Sequence, residues 1–217
     1  MEGTAVVLFA RSPEREAAAK RLGSAAPLFR SVIGAWLQAA HAAGAAAVIA
    51  CEPRDVASLA AIAPEVPRGW LSQGSGAFGE RVVRVTAAAF ASGFTRVLLA
   101  AIDAPPPDLG QVLATLAGGR PVVGPARDGG VNFVGLTAFD AALLARLTFR
   151  RCRERLVSLV VFRSVTDVDD LASLGAARNE RAWRGYFDVS HAHVAILVAA
   201  SRAISPFAGR GPPLVSM

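Results

Sequence analysis

Two aspartates in the sequence follow apolar runs of the kind that form buried strands. Asp103 comes directly after the run 97–102, and Asp128 opens an Asp-Gly-Gly turn between the β-rich runs 121–124 and 131–136. Glycines at a turn bring bare backbone close to a ligand, and open α/β sheets place ligand chemistry at the carboxyl ends of their strands. We therefore predict one site that contains Asp103 and Asp128, with these two as its catalytic acids.

A divalent cation suits carboxylates in such a place. Asp103 and Asp169 are the candidate ligands, because Mg²⁺ is typically held by one or two carboxylates together with substrate phosphates. Asp169 lies in an acid cluster at 167–170. Asp is also a favoured helix N-cap residue, so capping stays open as an alternative role for Asp169. The histidines lack a partner at ligand spacing and are expected on the surface or in packing: His41, His191 and His193.

Basic residues follow the first strand-like run. Arg11, Lys20 and Arg21 are suited to clamp a diphosphate, although the segment lacks the Gly-Lys-Ser/Thr of a Walker loop. The alternative is a charged surface turn with an alanine-rich helix. Further along, the glycine-dense segment 73–81 opens a helical pattern, and the free amides of a helix N-terminus bind anions or the carbonyl groups of bases. A flexible connector is the alternative there.

Strand-like runs alternate with helical patterns along the chain. Strands are predicted over 5–10, 46–51, 96–102, 121–124, 131–136 and 158–162, and helices over 27–43, 55–63, 79–91, 108–116 and 138–146. This alternation predicts an α/β protein with a mostly parallel sheet covered on both faces. A further helix is expected over 191–204, before a Gly/Pro-containing tail.

Composition narrows the class of protein. The chain has 217 residues, of which 53% are apolar and 18% charged, as expected for one globular domain. The net charge of +6 comes from scattered arginines with one cluster at 150–155, and Lys20 is the only lysine. Nucleic-acid surfaces show a basic stripe interleaved with aromatics, so nucleic acid is not an expected partner. Cys51 and Cys152 show neither metal-ligand nor disulfide spacing, which favours the cytoplasm, and neither a signal peptide nor a membrane span is expected.

Five motifs occur in a characteristic order. They are Phe-Ala-Arg-x-Pro at 9–13, Gln-Gly…Phe-Gly-Glu-Arg at 73–81, Ile-Asp-x-Pro at 102–105, Gly-Pro-Ala-x-Asp-Gly-Gly at 124–130 and Asp-Val-Asp at 167–169. Together they resemble a bacterial family of glycosyltransferase-like proteins with the GT-A fold, related to sugar-phosphate and phospholactate nucleotidyltransferases. The resemblance implies a Rossmann-like three-layer α/β/α sandwich with a mixed, mostly parallel sheet over residues 1–175. Residues 176–217 would form a C-terminal helical extension and a flexible tail.

The resemblance also implies roles for residues. Arg11 and its basic neighbours would meet nucleotide phosphates, the segment 73–81 would border the base, and residues 128–130 would shape a sugar or acceptor pocket. Asp103 would hold Mg²⁺ or Mn²⁺ with Asp169 as the second acid. The substrate-binding residues expected on this basis are Arg11, Lys20, Arg21, Gln73, Gly74, Glu80, Arg81, Gly129, Gly130 and Asn132. The expected partners are a nucleotide or nucleotide sugar and a small-molecule acceptor.

The first loop departs from the pattern of that family. Glu16 stands at a position usually held by glycine, and Ala19 stands where the family has lysine. Lys20 comes one residue late, and one residue along a helix turns a side chain by about 100°. A glutamate near phosphate is repulsive. We therefore expect that Lys20 does not simply replace the usual lysine.

These patterns favour a metal-dependent transferase that passes a glycosyl group from a nucleoside-diphosphate sugar to a small acceptor. A nucleotidyltransferase that releases pyrophosphate is the enzymatic alternative. A catalytically degenerate nucleotide-binding protein is the other alternative, because the first loop is altered at Glu16 and Ala19.

Overall fold

Seven strands form a single sheet in the computed structural model, which describes residues 3–187. The strands are β1 (Thr4–Phe9), β2 (Ala46–Cys51), β3 (Arg68–Ser72), β4 (Arg96–Ala101), β5 (Val122–Pro125), β6 (Val131–Leu136) and β7 (Val160–Val161). Their spatial order is β3-β2-β1-β4-β6-β5-β7. The pairs that β6 makes with β4 and β5 are antiparallel, and the other pairs are parallel. The predicted mixed, mostly parallel α/β sheet is confirmed.

Helices cover both faces of this sheet. They are α1 (Pro13–Ala19), α2 (Ala26–Ala42), α3 (Val56–Ala60), α4 (Phe78–Ala91), α5 (Leu109–Ala117), α6 (Ala141–Leu144), α7 (Phe149–Arg155) and α8 (Leu171–Ala177). Trp36 of α2 and Leu113 of α5 are buried in the core on one face. Val85 of α4 and Leu144 of α6 belong to the core on the other face. Because successive side chains of a strand point to opposite faces, the sheet supplies both cores and the protein has three layers.

The structure differs from the sequence prediction in several elements. Strand β3 was not predicted, because it lies at the sheet edge and its residues are half-buried or exposed rather than alternating. The helix predicted over 138–146 is only the short α6. A second helix, α7, begins after Thr148, whose side chain accepts a hydrogen bond from the Arg151 amide. The arginine cluster at 150–155 therefore lies on a helix of its own.

The order of the strands creates a crevice above the sheet. From β1 the chain crosses to β2 on one side, whereas β4 lies on the other side of β1. The connections therefore reverse direction between β1 and β4, and ligands of open α/β sheets bind at such a switch point. The loop after β1 and Asp103 after β4 both lie at this edge. Strand β6 runs the opposite way, so its first residues, which follow the Asp-Gly-Gly turn, reach the same edge.

The last described residues, up to Phe187, pack against the core that contains Trp36 and Leu113. Helix α8 spans the predicted boundary at residue 175, and Trp183 is fully buried with its indole donating to the Thr166 carbonyl at 2.9 Å. The chain thus continues in contact with the sheet domain as far as Phe187. The helix predicted over 191–204, with two of the three histidines, lies outside the described residues. Within residues 3–187, none of the helices combines the length and apolar character needed to cross a bilayer.

Candidate active site

A pocket of about 370 Å³ lies at the switch point of the sheet. The first loop, defined here as residues 10–22, supplies one part of its wall, and the end of β4 supplies Asp103. The glycine turn, defined as residues 128–132, contributes Gly130 and Asn132. Asp167 and Asp169 approach from the segment before α8. The pocket therefore contains Asp103 and Asp169, the two predicted metal ligands, together with Asp167, whereas Asp128, the second predicted catalytic acid, lies outside its lining.

Lys20 is placed among the predicted metal ligands rather than beside an open phosphate subsite. Its ammonium donates to Asp103 Oδ2 at 2.8 Å, to Asp169 Oδ1 at 2.5 Å and to the Val168 carbonyl at 2.8 Å. Glu16 lies 3.5 Å away, one helical turn back along α1. The three N–H donors of a lysine are all used by these acceptors. We call Glu16, Lys20, Asp103 and Asp169 the ion cluster.

The ion cluster changes the protonation of its members. Burial lowers the pKa of Lys20, but the charge of Asp103, its hydrogen bonds with Asp103 and Asp169, and the charge of Glu16 outweigh burial and raise that pKa above its ordinary value. The ammonium is therefore firmly protonated. For Glu16, burial raises the pKa of the carboxyl and Lys20 opposes this shift. Arg11 also contacts Glu16, at 3.6 Å.

A buried aspartate in the next loop holds the first loop in place. Asp55 is 0% exposed and accepts a hydrogen bond from the Ser12 amide at 3.1 Å. Its other oxygen pairs with the Arg15 guanidinium. Ser12 directly precedes α1, so these bonds set the start of the helix that carries Glu16 and Lys20. Asp55 was not predicted as a site residue, because its partners Ser12 and Arg15 lie 43 and 40 residues away along the chain.

Asp169 also belongs to a group of three carboxylates that can hold a metal ion. Ligand oxygens of Asp128, Asp167 and Asp169 lie within 4.8 Å of one another. Burial and the nearby charge of Asp103 raise the pKa of Asp167 to about 7, because the ionised carboxyl is poorly solvated and faces other negative charges. In addition, Asp103 Oδ1 is buried and has no hydrogen-bond partner among residues 3–187. Oxygen donors under mutual repulsion, with one oxygen unsatisfied, fit a hard divalent cation.

The N-cap alternative for Asp169 is wrong. Asp170 caps α8, since its Oδ1 accepts a hydrogen bond from the Ser173 amide at 2.8 Å. Asp169 instead turns its carboxylate to Lys20. Asp167 was not predicted as a ligand, although the sequence held a signal for it. Val168, between Asp167 and Asp169, is fully buried. Successive side chains of an extended segment point to opposite sides, so Asp167 and Asp169 both face the side opposite to Val168.

The glycine turn contains a hydrogen bond within the turn itself and a side-chain oxygen that has no partner among residues 3–187. The Gly130 amide donates to Asp128 Oδ1 at 2.7 Å, and Gly129 has a φ of 97°, a conformation that favours glycine. Asn132 is 5% exposed and donates from Nδ2 to the Val165 carbonyl at 2.9 Å. Its Oδ1 is buried without a partner in the described part of the chain. A ligand hydroxyl or amine at the pocket wall would satisfy that oxygen.

Another part of the wall is aromatic and cationic. The Arg81 guanidinium lies 5.6 Å from the ring centre of Phe9 and 5.7 Å from that of Phe78, within cation–π range. Gln73 accepts a hydrogen bond from Arg81 and donates to the carbonyls of Ala10 and Ala50. Gln73 lines the pocket, but its amide already serves the protein as a brace for Arg81 and the first loop.

Some predicted substrate-binding residues lie away from the lining of this pocket. Glu80 Oε2 accepts a hydrogen bond from the Ala77 amide at the start of α4, so its carboxylate serves the helix. Gly74 packs against the side chain of Arg84. Arg21 is exposed in a left-handed turn after α1, with a φ of 56°. Gly129 is also exposed, at the tip of the glycine turn. His41 is exposed on α2, as expected.

The architecture defines the class of fold. A crystal structure from Desulfovibrio desulfuricans G20, described provisionally as a nucleotide-diphospho-sugar transferase, aligns with a TM-score of 0.70 and 22% identity over 91% of this chain and 97% of that one. A homologue of Rv0371c from Mycobacterium sp. strain JC1 aligns with a TM-score of 0.52 and 15% identity, over 87% and 98%. The chain therefore has the predicted fold of the nucleotide-diphospho-sugar transferases.

Related nucleotidyltransferases share this fold. A Bacillus anthracis protein, described provisionally as a glucose-1-phosphate thymidylyltransferase and solved with sucrose, aligns with a TM-score of 0.51 and 11% identity over 85% of this chain and 98% of that one. The chain belongs to the family DUF2064, described as an uncharacterized protein conserved in bacteria, whose pattern matches residues 36–150. No functionally curated protein matches the sequence.

Proposed function

We propose that the protein is a metal-dependent transferase that binds a nucleoside-diphosphate sugar and passes the glycosyl group to a small acceptor. The observation that carries the proposal is the meeting of Asp103, Asp167 and Asp169 with Arg11 and Lys20 in one pocket at the switch point. An apolar core needs no such concentration of charge. A ligand that carries phosphate and requires a cation accounts for both signs of charge at once.

The charge balance of the pocket supports a metal requirement. Four carboxylates, those of Glu16, Asp103, Asp167 and Asp169, line the pocket with three cationic side chains, those of Arg11, Lys20 and Arg81. A diphosphate added to this set would meet net repulsion. Asp103, Asp167 and Asp169 would hold Mg²⁺ or Mn²⁺. When bound, the metal supplies positive charge for the diphosphate that leaves during transfer.

The other residues then have distinct tasks. Arg11, half-buried at the pocket edge, would donate hydrogen bonds to the diphosphate. Asn132 Oδ1 would accept a hydrogen bond from a sugar or acceptor hydroxyl. Asp128 is exposed and uses one oxygen for the Gly130 amide, which leaves the other oxygen to take the proton that the acceptor hydroxyl loses. Gly130, next to this carboxylate, allows close approach of the acceptor.

Nucleotidyl transfer is the second candidate, because Arg11 and Lys20 of the first loop line the pocket. In that reaction a phosphorylated substrate attacks the α-phosphate of a nucleoside triphosphate, and pyrophosphate leaves. Lys20, however, is held in the ion cluster, and Glu16 lies beside Arg11, so the first loop offers less free positive charge to a triphosphate.

The two buried free thiols of Cys51 and Cys152 are consistent with a cytoplasmic location, which we propose as well.

Product analysis separates these functions. The protein is incubated with a panel of nucleotide sugars, or with nucleoside triphosphates and sugar phosphates, in the presence of Mg²⁺ or Mn²⁺. Release of nucleoside diphosphate with loss of the sugar supports glycosyl transfer, whereas release of pyrophosphate supports the alternative. Binding without turnover, unaffected by metal and by Asp103→Asn, would overturn both enzymatic functions and leave a nucleotide-binding protein.

A further inference from the structure

The position of Lys20 conflicts with a metal held by the same carboxylates. Its ammonium lies 2.8 Å from Asp103 Oδ2 and 2.5 Å from Asp169 Oδ1. Mg²⁺ binds carboxylate oxygens at about 2.0–2.1 Å, so a metal ion that bridges Asp103 Oδ2 and Asp169 Oδ1 would need the lone pairs that the ammonium uses. An ammonium and a divalent cation cannot occupy the space between these two oxygens together. One of them must leave before the other binds.

The structure shows that the ammonium is well held in this place. The Val168 carbonyl completes its three hydrogen bonds, and Glu16 adds a fourth oxygen at 3.5 Å. The side chain is only 10% exposed. A backbone carbonyl and carboxylates around a cation are the ligand set that a protein offers to a hard metal ion. The oxygen atoms around the Lys20 ammonium would therefore also suit a divalent cation.

We propose that Lys20 competes with the divalent cation for Asp103 and Asp169, so that the free protein binds metal weakly and metal entry releases the ammonium. The inference rests on the proposed function, because it takes a divalent cation as the cofactor of this site. Lys20 and Arg11 both contact Glu16, so the ammonium would be released close to Arg11. Metal entry would thus add a second mobile positive charge to the side of the pocket where a diphosphate is expected.

The first test measures metal affinity directly, without any transfer reaction. Mn²⁺ is titrated into the full chain, and free Mn²⁺ is followed by electron paramagnetic resonance. Lys20→Met keeps the length of the stem and removes the competing charge. We expect it to tighten Mn²⁺ binding by about tenfold, within the range that coupled binding sites usually show. Lys20→Arg, which keeps a cation beside the carboxylates, should bind Mn²⁺ as weakly as the native protein.

Arg21→Met is the matched control. It removes one positive charge from the next residue, whose side chain is exposed and does not line the pocket. Because an exposed charge is screened by salt, its removal should change Mn²⁺ affinity by less than about twofold. Equal gains in Lys20→Met and Arg21→Met would overturn the competition, since general electrostatics would then explain both.

A second measurement avoids substitution altogether. Lys20 is the only lysine, so protein labelled with ¹³C-lysine gives one lysine side-chain signal in a nuclear magnetic resonance spectrum. Titration with Mg²⁺ should shift this signal as the ammonium leaves the carboxylates. A signal that stays unmoved at saturating Mg²⁺ would overturn the inference, even if Lys20→Met proves too unstable to study.

The outcomes separate this inference from the proposed function. Tighter Mn²⁺ binding in Lys20→Met supports the competition whether or not a transfer reaction is found. Mn²⁺ binding that is equal in the native protein and in Lys20→Met overturns the competition but leaves a metal-dependent transferase intact. Absence of Mn²⁺ binding from every variant overturns the inference and the metal requirement together.

Discussion

The first loop and the glycine turn border the same pocket but hold their polar groups in opposite ways. In the first loop, Lys20 pairs with Glu16 and with acids from two other segments. In the glycine turn, Asn132 Oδ1 has no partner among the described residues, and Asp128 is exposed. The first loop must rearrange before its lysine can meet a ligand. The glycine turn can receive a ligand as it stands.

This difference indicates where substrate recognition and control reside. Polar groups that are already paired contribute to binding only after their own bonds are broken, so their net contribution is small or conditional. A buried acceptor without a partner gains a full hydrogen bond when a ligand arrives. We therefore expect the glycine turn to set affinity for the sugar or acceptor, and the first loop to make phosphate binding conditional on metal.

Asp103→Asn should have the largest effect on the first loop. The change removes the charge that holds Lys20 and one carboxylate of the metal site, and we expect transfer to fall about 100-fold, the scale of losing one preorganised electrostatic contact. Steady-state kinetics with saturating metal measures this. Asp108→Asn is the control, because Asp108 caps α5 and asparagine caps equally well. Full activity in Asp103→Asn would show that the ion cluster is not part of the reaction.

Asp55→Ala tests whether the first loop depends on its buried anchor. The substitution leaves the Ser12 amide without an acceptor and Arg15 without its buried partner, so the free energy of unfolding should fall by about 2 kcal/mol. Urea denaturation measures the loss. Glu52→Gln, which removes the more exposed partner of Arg15, should cost less than about 1 kcal/mol. Equal losses would mean that the loop is not anchored at Asp55.

Asn132→Ser tests whether the glycine turn recognises the sugar or acceptor. It removes the unpartnered oxygen from the glycine turn, and we expect donor or acceptor KM to rise about fivefold to tenfold with little change in kcat, the scale of one net hydrogen bond. Asn179→Ser is a matched control, because Asn179 is exposed and does not line the pocket. An unchanged KM in Asn132→Ser would place recognition elsewhere.

The smallest expected effect is a pH dependence of stability. Asp167 has a pKa of about 7 in the folded protein, above its ordinary value of 3.8. Its contribution to stability is therefore fully present below about pH 4 and is lost as pH rises through 7. Without metal, the free energy of unfolding should fall by about 1 kcal/mol between pH 5 and pH 8, a modest amount because the carboxyl is partly solvated.

Asp167→Asn is the variant that checks this pH dependence. It removes the titrating group while keeping the size of the side chain, so the fall in stability between pH 5 and pH 8 should largely disappear. Urea denaturation at the two pH values, in a buffer that contains a chelator, gives the comparison. A slope equal to that of the native protein would assign the pH dependence to another group.

The sequence predicted the sheet and the position of the site because both depend on local patterns. The runs that became β1, β2, β4 and β6 are mostly apolar, and Asp103 lies just beyond the end of β4. Strand β3 was not predicted, because this edge strand, Arg-Gly-Trp-Leu-Ser, has no fully buried residues and therefore no apolar pattern. Burial pattern is the signal that reveals strands, and β3 lacks it.

The contacts inside the site could not be predicted in the same way. Lys20 meets Asp103 and Asp169 across 83 and 149 residues of sequence, and no local pattern connects them. The departure from the family pattern at Ala19 and Lys20 did indicate that this lysine has a different role. For Gln73, the glycine-rich loop suggested a ligand contact, but no local pattern indicated that its amide also donates to the carbonyls of Ala10 and Ala50.

The single lysine of this chain makes its pocket chemically addressable. Acylating reagents attack neutral amines, and the raised pKa of Lys20 keeps its amine protonated while the ion cluster is intact. Once released, the same amine would lose its stabilising carboxylates and react faster. Because no other lysine side chain exists in the sequence, the rate at which an ε-amine of the purified protein is modified reports the state of this one site.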